Sequence, residues 1–342
     1  MTTADQVTPA PDDQVAKPTS IAFTFGDPVP VLDGRELAGY YQALWNGSYF
    51  EPPVSFNGLA KMLGANTHHQ SAIRAKVNIL ASCYQPHKLL SRASFKRLAL
   101  DFLVFGNAWV ERRENWLGGP LELAPTLALW TRTRKDGATL MLVDGAEHDF
   151  VPGKVFHFVE PDVSQEIYGV PGYLAAMQSA LLNEAATLFR RKYYVNGSHA
   201  GFILYLTDPA QDPADIDALR TALKEAKGPG NFRNLFLYAP NGNKDGLKVI
   251  PVAEVGAKDE FLSIKNVTRD DVLAAHRVPP QLLGIVPNST GGFGDVEKAA
   301  AVFARNELVP LTSVFTDLNV WIGEEVVRFD PYTVGGGDSA AK

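Results

Sequence analysis

The sequence is poor in cysteine: Cys83 is the only one among 342 residues. A single thiol cannot form an intramolecular disulfide or a cysteine-based zinc site, and a reducing compartment is its natural setting. No run approaches the roughly 18 continuous apolar residues of a membrane span, and no basic start followed by an apolar core resembles a signal peptide. We therefore expect no membrane association and no secretion.

Catalytic motifs are also missing. None of the seven histidines stands at the spacing of metal ligands, and the pair His68-His69 is more typical of a helix N-terminus that faces solvent. The chain has no Gly-x-Ser-x-Gly elbow and no Walker lysine. Acidic pairs such as Asp270-Asp271 are more typical of solvated helix faces than of general acids and bases. The sequence predicts no catalytic residues, no metal and no cofactor.

Positive charge is in short supply, because 32 basic residues face 38 acidic ones and the formal net charge is −6. This balance argues against a protein that grips nucleic acid by neutralising phosphates. It remains compatible with a surface along which DNA passes without binding. A hydrophobic content of 46% over this length predicts a globular protein of two or three folding units.

Helical periodicity dominates residues 33–105. Asp33, Ser55 and Thr67 each precede an apolar-periodic run and are predicted N-caps. A further helix is predicted from about residue 93 to 105, where Gly106 ends it.

From residue 107 to about 158 the apolar pattern changes to period two, which predicts strands. Residues 130–134 and 138–142 flank Lys135-Asp136-Gly137, a strong hairpin signal. The first half is therefore predicted to be α+β, with its strands in one contiguous meander.

The second half begins with a long helix predicted from Pro171 to about Val195. A compact insert follows at 200–252, with strands at 201–205, 234–238 and 247–252 and a helix at 212–227. A second long helix, from about 258 to 276, returns to Pro279-Pro280. The apolar face of the first helix consists of Leu174, Met177, Leu181, Ala185 and Leu188.

The double proline must stop that second helix, because proline lacks an N–H and clashes with the preceding turn. A polar, glycine-rich loop follows, and Asp295 is the predicted cap of a third helix that runs to about Gly323. Pro310 should kink this helix. A final strand is predicted at 326–330.

With these elements placed, several short motifs follow one another in the order found in a known family. They are Phe105–Glu111, Tyr168–Tyr173, Lys192–Ser198, His276–Gly284 and Phe303–Pro310. The chain resembles the portal proteins of tailed bacteriophages, in the short PBSX type of temperate contractile-tailed phages. Trp109 stands where the family often has tyrosine, which is a mild departure.

The resemblance implies the α+β portal fold and a domain plan. The plan has a disordered tail at 1–20, a wing at 21–170, a first stem helix at 171–195, a small α/β clip at 196–257, a second stem helix at 258–280, a tunnel loop at 281–295, a kinked helix that returns to the wing at 296–330, and a loose tail at 331–342. The helical crown of longer portals would be very small or absent.

The resemblance also implies a function without catalysis. Family members form a ring, typically of twelve subunits, at one vertex of the capsid. The ring is the conduit for genome packaging by terminase, for head–tail joining and for DNA ejection. The implied partners are the large terminase subunit, the major capsid and scaffolding proteins, a head-completion protein, and double-stranded DNA that passes through the channel without sequence-specific binding. The implied location is the virion, with assembly in the host cytoplasm.

Three sets of residues are candidates for these roles. The tunnel loop would touch DNA sterically rather than electrostatically, with Asp295, Glu297 and Lys298 setting the field beside it; an ordinary connector is the alternative. Clip residues would contact terminase, although solvated side chains are the interpretation that the sequence favours. The stem helix would pack against neighbouring subunits. The candidates are Asn288, Ser289, Thr290, Gly291, Gly292, Phe293 and Gly294 in the loop, Lys224, Lys227 and Arg233 in the clip, and Leu174, Met177, Leu181 and Leu188 in the stem.

Two other functions stay open. One is a soluble enzyme whose active site is assembled from dispersed residues and is therefore invisible as a motif. The other is a phage head–tail adaptor, which shares the ring but is usually much shorter.

Overall fold

The computed structural model describes residues 43–195, 202–206, 247–251, 257–285 and 295–333. Its helices are α1 (Phe56–Ala65), α2 (Thr67–Cys83), α3 (Arg92–Phe105), α4 (Met177–Val195), α5 (Ala257–Ala275), α6 (Val296–Phe303) and α7 (Val309–Ile322). Its strands are β1 (Leu44–Trp45), β2 (Phe50–Glu51), β3 (Asn107–Glu114), β4 (Pro120–Pro125), β5 (Thr131–Thr133), β6 (Thr139–Val143), β7 (Ala146–Asp149), β8 (Val155–Val159), β9 (Phe202–Leu206) and β10 (Leu247–Pro251).

The helix caps show how well local chemistry predicts boundaries. Ser55 caps α1 as expected, because its hydroxyl accepts from the N–H of Gly58. The prediction that Thr67 caps α2 is wrong by one residue, since Asn66 accepts the first free N–H groups of that helix. Gly106 ends α3 with a φ of 67°, a left-handed conformation that glycine adopts without strain. The cap at Asp33 lies outside the described residues.

The strands form two sheets in the body, so the prediction of one contiguous meander is wrong. One sheet has the order β4-β3-β8 and the other the order β1-β2-β5-β6-β7. β8 leaves the meander and pairs with the free edge of β3, with Asn107 opposite Val159. The predicted hairpin is confirmed, as Thr133 of β5 pairs with Thr139 of β6.

The segment before α1 was expected to be helical and instead forms the short hairpin β1–β2. The side chain of Asn46 accepts from the N–H groups of Ser48 and Tyr49, and Gly47 has a φ of 105°. This side-chain turn satisfies backbone donors that a helix would otherwise bind.

Two large apolar clusters fill the described part of the body, and a third, of four buried residues including Met62 and Val272, lies at the base of the α4–α5 pair. The larger lies among α2, α3, α7 and the three-stranded sheet, where Phe95 contacts Tyr84 and Phe315 ring to ring. The smaller surrounds Phe56, Trp109 and Tyr168, beneath α1. Each is assembled from elements distant in sequence, so the body forms one packed unit.

The helices α4 and α5 form an antiparallel pair that extends from this body. Ser179 donates to Asp271, and Asn183 donates to Thr268, so the paired positions run in opposite directions. A 3-10 turn precedes α4, which therefore begins six residues after Pro171 rather than at it. Beyond the pair, β9 and β10 confirm two strands of the predicted insert; its helix at 212–227 and its strand at 234–238 lie outside the described residues.

The last long helix is interrupted as predicted, by a π-helical segment at Ala304–Leu308 just before Pro310. The predicted strand at 326–330 is wrong, because only Phe329 bridges to Tyr84. The Asn319 side chain instead bonds the N–H groups of Val326 and Val327 and the carbonyl of Val327, so these groups need no partner strand. Within the described part of the chain, no helix has both the length and the apolar character needed to cross a membrane.

Candidate functional site

Four sequence motifs meet at one place, where the α4–α5 pair joins the body. We call this place the motif junction and define it by Phe105–Glu111, Tyr168–Tyr173, His276–Gly284 and Phe303–Pro310. The first two motifs touch through glycines. Glu160 donates its N–H to the carbonyl of Gly106, 2.8 Å away, and accepts from Val170. A Cβ on Gly169 would overlap the Gly106 carbonyl and lie 2.5 Å from the Glu160 nitrogen, so only glycine fits there.

Asn107 fastens this contact with its buried side chain. Its amide group donates to the carbonyls of Phe105 and Gly169, both at 2.8 Å. Its carbonyl oxygen accepts from the N–H of Gly169 at 2.8 Å and faces Nε2 of His157 at 2.9 Å. Since that oxygen can only accept, His157 carries its proton on Nε2. Asn107 thus joins residues separated by some sixty positions in the chain.

Tyrosine hydroxyls connect the junction to the surrounding elements. Tyr168 donates to the carbonyl of Phe50 and accepts from the N–H of Thr133, which attaches it to two strands of the five-stranded sheet. Tyr173 donates to the carbonyl of Val104 at the end of α3. Burial raises the pKa of Tyr168 to about 12 and also raises that of Tyr173, so both remain protonated donors.

A buried histidine pair lies behind Tyr173. Nδ1 of His69 and Nε2 of His276 are 2.8 Å apart, and both rings contact the Tyr173 ring. Burial lowers the pKa of His69 to about 4 and that of His276 to about 2, so both are neutral at pH 7. The prediction that His69 faces solvent is wrong, because helical spacing places it on the same side of α2 as Ile73 and Lys76.

The centre of the junction is an ion triad that consists of a buried pair and an exposed arginine. Glu307, in the π-helical segment, binds Nζ of Lys76 at 2.6 Å and Nη1 of Arg277 at 3.0 Å. The side chains of Lys76 and Glu307 are only 6% exposed, whereas that of Arg277 is 65% exposed. Burial lowers the pKa of Lys76 despite the opposing effect of Glu307, and burial raises the pKa of nearby Glu160. A crevice of about 180 Å³ opens beside these groups.

The chemistry of this arrangement is that of a structural joint. Lys76 and Glu307 are bound to each other, and the His69 and His276 nitrogens that face each other are also paired. In the described ranges, no three histidine, cysteine or acidic side chains come close enough together to hold a metal ion.

The predicted stem residues lie in different environments. Leu174 and Met177 pack against the smaller apolar cluster, and Leu181 is partly buried near Met62. Leu188 is exposed. The face that α4 turns towards α5 is instead formed by small and polar residues, namely Ala180, Asn183 and Ala186, and Ala176 of the preceding 3-10 turn is also buried.

The remaining predicted site residues fall mostly outside the described ranges. These are the loop residues 288–294 and the clip residues Lys224, Lys227 and Arg233. Beside the loop, Asp295 caps α6 as predicted by accepting from the N–H of Lys298 at 2.9 Å. The side chain of Lys298 also pairs with Asp295 at 2.8 Å, so these two charges largely offset each other.

Sequence reasoning missed the ion triad, although a signal was present. Lys76 falls at the helical spacing of Ile73, Val77 and Leu80, all of which are buried. Glu307 likewise falls four residues after buried Phe303. A charged residue on an otherwise apolar helix face predicts a buried partner, but nothing in the spacing identifies that partner.

Comparison with known proteins gives a consistent result. The family model "Phage portal protein" matches residues 66–333. A "Probable portal protein" of Escherichia phage P2 is 51% identical over 319 residues, covering 93% of each chain. A "Probable portal protein" of Haemophilus phage HP1 is 37% identical over 280 residues, covering 80% of this chain and 81% of that protein.

Solved structures share the fold at low identity. The crystal structure of an HK97 family phage portal protein from Corynebacterium diphtheriae gives a TM-score of 0.59 at 16% identity, covering 80% of this chain and 94% of that one. A chain of the native gene transfer agent virion gives 0.60 at 18% identity, covering 86% and 88%.

Proposed function

The chain belongs to the phage portal protein family, and on that premise we propose that it assembles into a ring at one vertex of a capsid. The ring would serve as the conduit through which DNA is packaged and later released. We propose twelve subunits, and a plan in which the body is the wing and α4 and α5 are the stem. The short PBSX type stays a prediction that rests on the sequence motifs.

The observation that best supports a ring is the pair of outer faces on α4 and α5. On α4, Leu182 and Leu188 are 51% and 38% exposed, and Ala185 between them is exposed. At about 100° per residue, Ala185 and Leu188 lie about 160° and 140° around the helix from Asn183, which faces α5, and Leu182 lies about 100° to one side of it. On α5, Val267 is 56% exposed and lies opposite the buried Val272 side.

These two faces suit a head-to-tail contact between copies. They lie on different helices, so one copy can offer α4 while the next offers α5. Such a heterologous interface closes into a ring when the rotation between copies is a simple fraction of a turn. Burying the exposed leucines against a neighbour removes apolar area from water and so favours assembly.

The register within the pair predicts which residues meet. Ser179 pairs with Asp271 and Asn183 with Thr268, so Leu182 lies at the height of Val267. If the helix pairs run along the ring axis, rotation about that axis preserves height. Leu182 of one copy should then lie near Val267 of the next.

Cross-linking tests this arrangement. In a Cys83→Ser background, Leu182→Cys combined with Val267→Cys should form disulfides between copies on oxidation and give a ladder of covalent multimers on a non-reducing gel. Leu182→Cys combined with Val320→Cys is the matched control, because Val320 is 85% exposed but lies on α7. Negative-stain imaging should show rings. Monomeric particles without a ladder would contradict the proposal.

We further propose a structural role without catalysis, supported by the internal pairing of the junction's buried charges. The remaining partners follow from the family: the large terminase subunit, the major capsid and scaffolding proteins and a head-completion protein, with assembly in the host cytoplasm.

Replacing Lys224, Lys227 and Arg233 by glutamate should block packaging and spare the ring. Gly291→Pro with Gly292→Pro should impair DNA passage and also spare it; full infectivity would leave the loop a simple connector.

A further inference from the structure

The ion triad of Glu307, Lys76 and Arg277 is not expected to add much net stability to the fold. Taking charges out of water is costly, and exchanging a buried ion pair for well-packed apolar residues is often neutral or stabilising. What such a pair can supply is geometry, because a charged hydrogen bond has a preferred direction and length whereas apolar contacts tolerate sliding. The question is therefore which geometry the triad controls.

The triad joins three elements that meet at the base of the α4–α5 pair. Lys76 lies in α2, within the body, and Arg277 lies in the turn that directly follows α5. Arg277 has a φ of 54°, a conformation that costs energy for a residue other than glycine. Glu307 binds both, and the His69–His276 contact links α2 to the same turn. The end of α5 is thus attached to the body by directional bonds.

The π-helical segment turns Glu307 towards this site. The N–H of Val309 bonds the carbonyl of Ala304, five residues back, and Pro310 has no N–H to offer the next carbonyl. In a continuous α-helix, Phe303 and Leu308 would face directions about 140° apart. Here both enter the larger apolar cluster while Glu307 stays buried between them.

We propose that Glu307 is a positioning residue that sets the angle at which the α4–α5 pair leaves the body, and that this angle determines the number of subunits in the ring. The inference rests on the proposed ring. Rings of twelve and thirteen subunits differ by only about 2° of rotation per subunit. A shift of that size at the base of the helix pair can therefore change the count without disturbing the fold.

The test replaces both ends of the buried pair with apolar residues. Lys76→Met with Glu307→Met should leave the thermal unfolding temperature unchanged or raise it, and should give rings of mixed subunit number in electron-microscopic class averages. Wild-type rings should be uniform. The matched control is Lys88→Met with Glu324→Met, which removes an exposed ion pair and should leave the rings uniform. Lys76→Arg, which keeps the charges, should also leave them uniform.

A second variant keeps the test decisive if the first one does not fold. Arg277→Met removes the exposed arm of the triad and leaves the Lys76–Glu307 pair in place, so the chain should fold and again give mixed rings. Uniform rings of wild-type count from a folded double variant, or from Arg277→Met if the double variant does not fold, overturn the inference alone. Absence of rings from the wild-type protein overturns the proposed function, and this inference with it.

Discussion

The motif junction and the α4–α5 pair stabilise themselves in different ways. At the junction, buried polar groups such as Asn107 and Glu307 have partners within the chain, and aromatic rings fill the space between them. In the helix pair, small residues and the Asn183–Thr268 hydrogen bond join the helices, while Leu182 and Val267 face outward.

The difference is that the junction packs within one chain, whereas the helix pair leaves apolar side chains exposed. The junction pairs most of the polar groups that it buries within the chain, while Nε2 of His69 and Nε1 of Trp109 are buried without a hydrogen-bond partner among the described residues. Among the described residues, the helix pair leaves apolar side chains exposed on both of its helices. The described body is therefore packed within one chain, and in the proposed ring the helix pair would form half of an interface.

The largest effect on the single chain should come from Gly169→Ala. The added methyl group would meet backbone atoms of Gly106 and Glu160 on a segment already held by Asn107. The contact between Gly169 and these backbone atoms must therefore open. We expect a loss of at least about 3 kcal/mol in the free energy of unfolding, measured by urea denaturation. Gly172→Ala is the control, since its Cβ would meet open space. Equal stability of the two variants would show that the contact at Gly169 is loosely packed.

Glu307→Ala should follow. It leaves Lys76 buried without its negative partner, and breaking a buried pair in this way costs roughly 3–5 kcal/mol. Urea denaturation of the variant measures this cost. Glu324→Ala, at an exposed pair, should change stability little. A small loss for Glu307→Ala would mean that water reaches Lys76 through the adjacent crevice.

Acid should weaken the junction by a smaller amount. Burial holds the pKa of His69 at about 4 and that of His157 at about 3, below the usual 6.5. Below pH 6.5, these histidines therefore bind protons in the unfolded chain but stay neutral in the folded chain. Their contribution to stability is constant above pH 6.5 and falls as the pH drops below it. At pH 5 each such histidine should have cost roughly 2 kcal/mol, measurable by denaturation at pH 7 and pH 5.

The control separates these histidines from opposing groups. Burial raises the pKa of Asp101 to about 6, so this residue gains stability as the pH falls and offsets part of the loss. Replacing His69 and His276 by phenylalanine should flatten the pH dependence, whereas His148→Phe, at an exposed position, should not. An unchanged slope in the double variant would place the acid sensitivity elsewhere.

The smallest effect on chain stability should come from Leu182→Asp, which should nevertheless abolish the ring. The side chain is half exposed within one copy, so unfolding of the chain should change little while light scattering shows smaller particles. Leu181→Asp is a poorer test, because Leu181 packs near Met62 inside the same chain. Val320→Asp is the control and should leave the rings intact. Rings that survive Leu182→Asp would move the interface away from α4.

Much of the local structure could be predicted from residues that act on their neighbours. Ser55 and Asp295 cap their helices, Gly106 ends α3, and Gly137 lies in the predicted hairpin. Each effect depends on contacts within a few positions, because residues that are close in sequence are also close in space. Some errors, such as the cap at Asn66 and the hairpin at Asn46, involved near neighbours, and others involved partners farther along the chain. The strand expected at 326–330 failed because Asn319 satisfied its backbone, and the meander failed because β8 returned to β3.

The sequence by itself determined the family, the α+β class and the order of elements, because motifs, periodicity and caps are read along the chain. Only the tertiary structure decided that the motifs converge on one junction, that Lys76, Arg277 and Glu307 form a triad, and that Leu182 rather than Leu181 faces outward. The physical reason is that burial and ion pairing depend on distances between elements, and helical spacing specifies a face without specifying what lies against it.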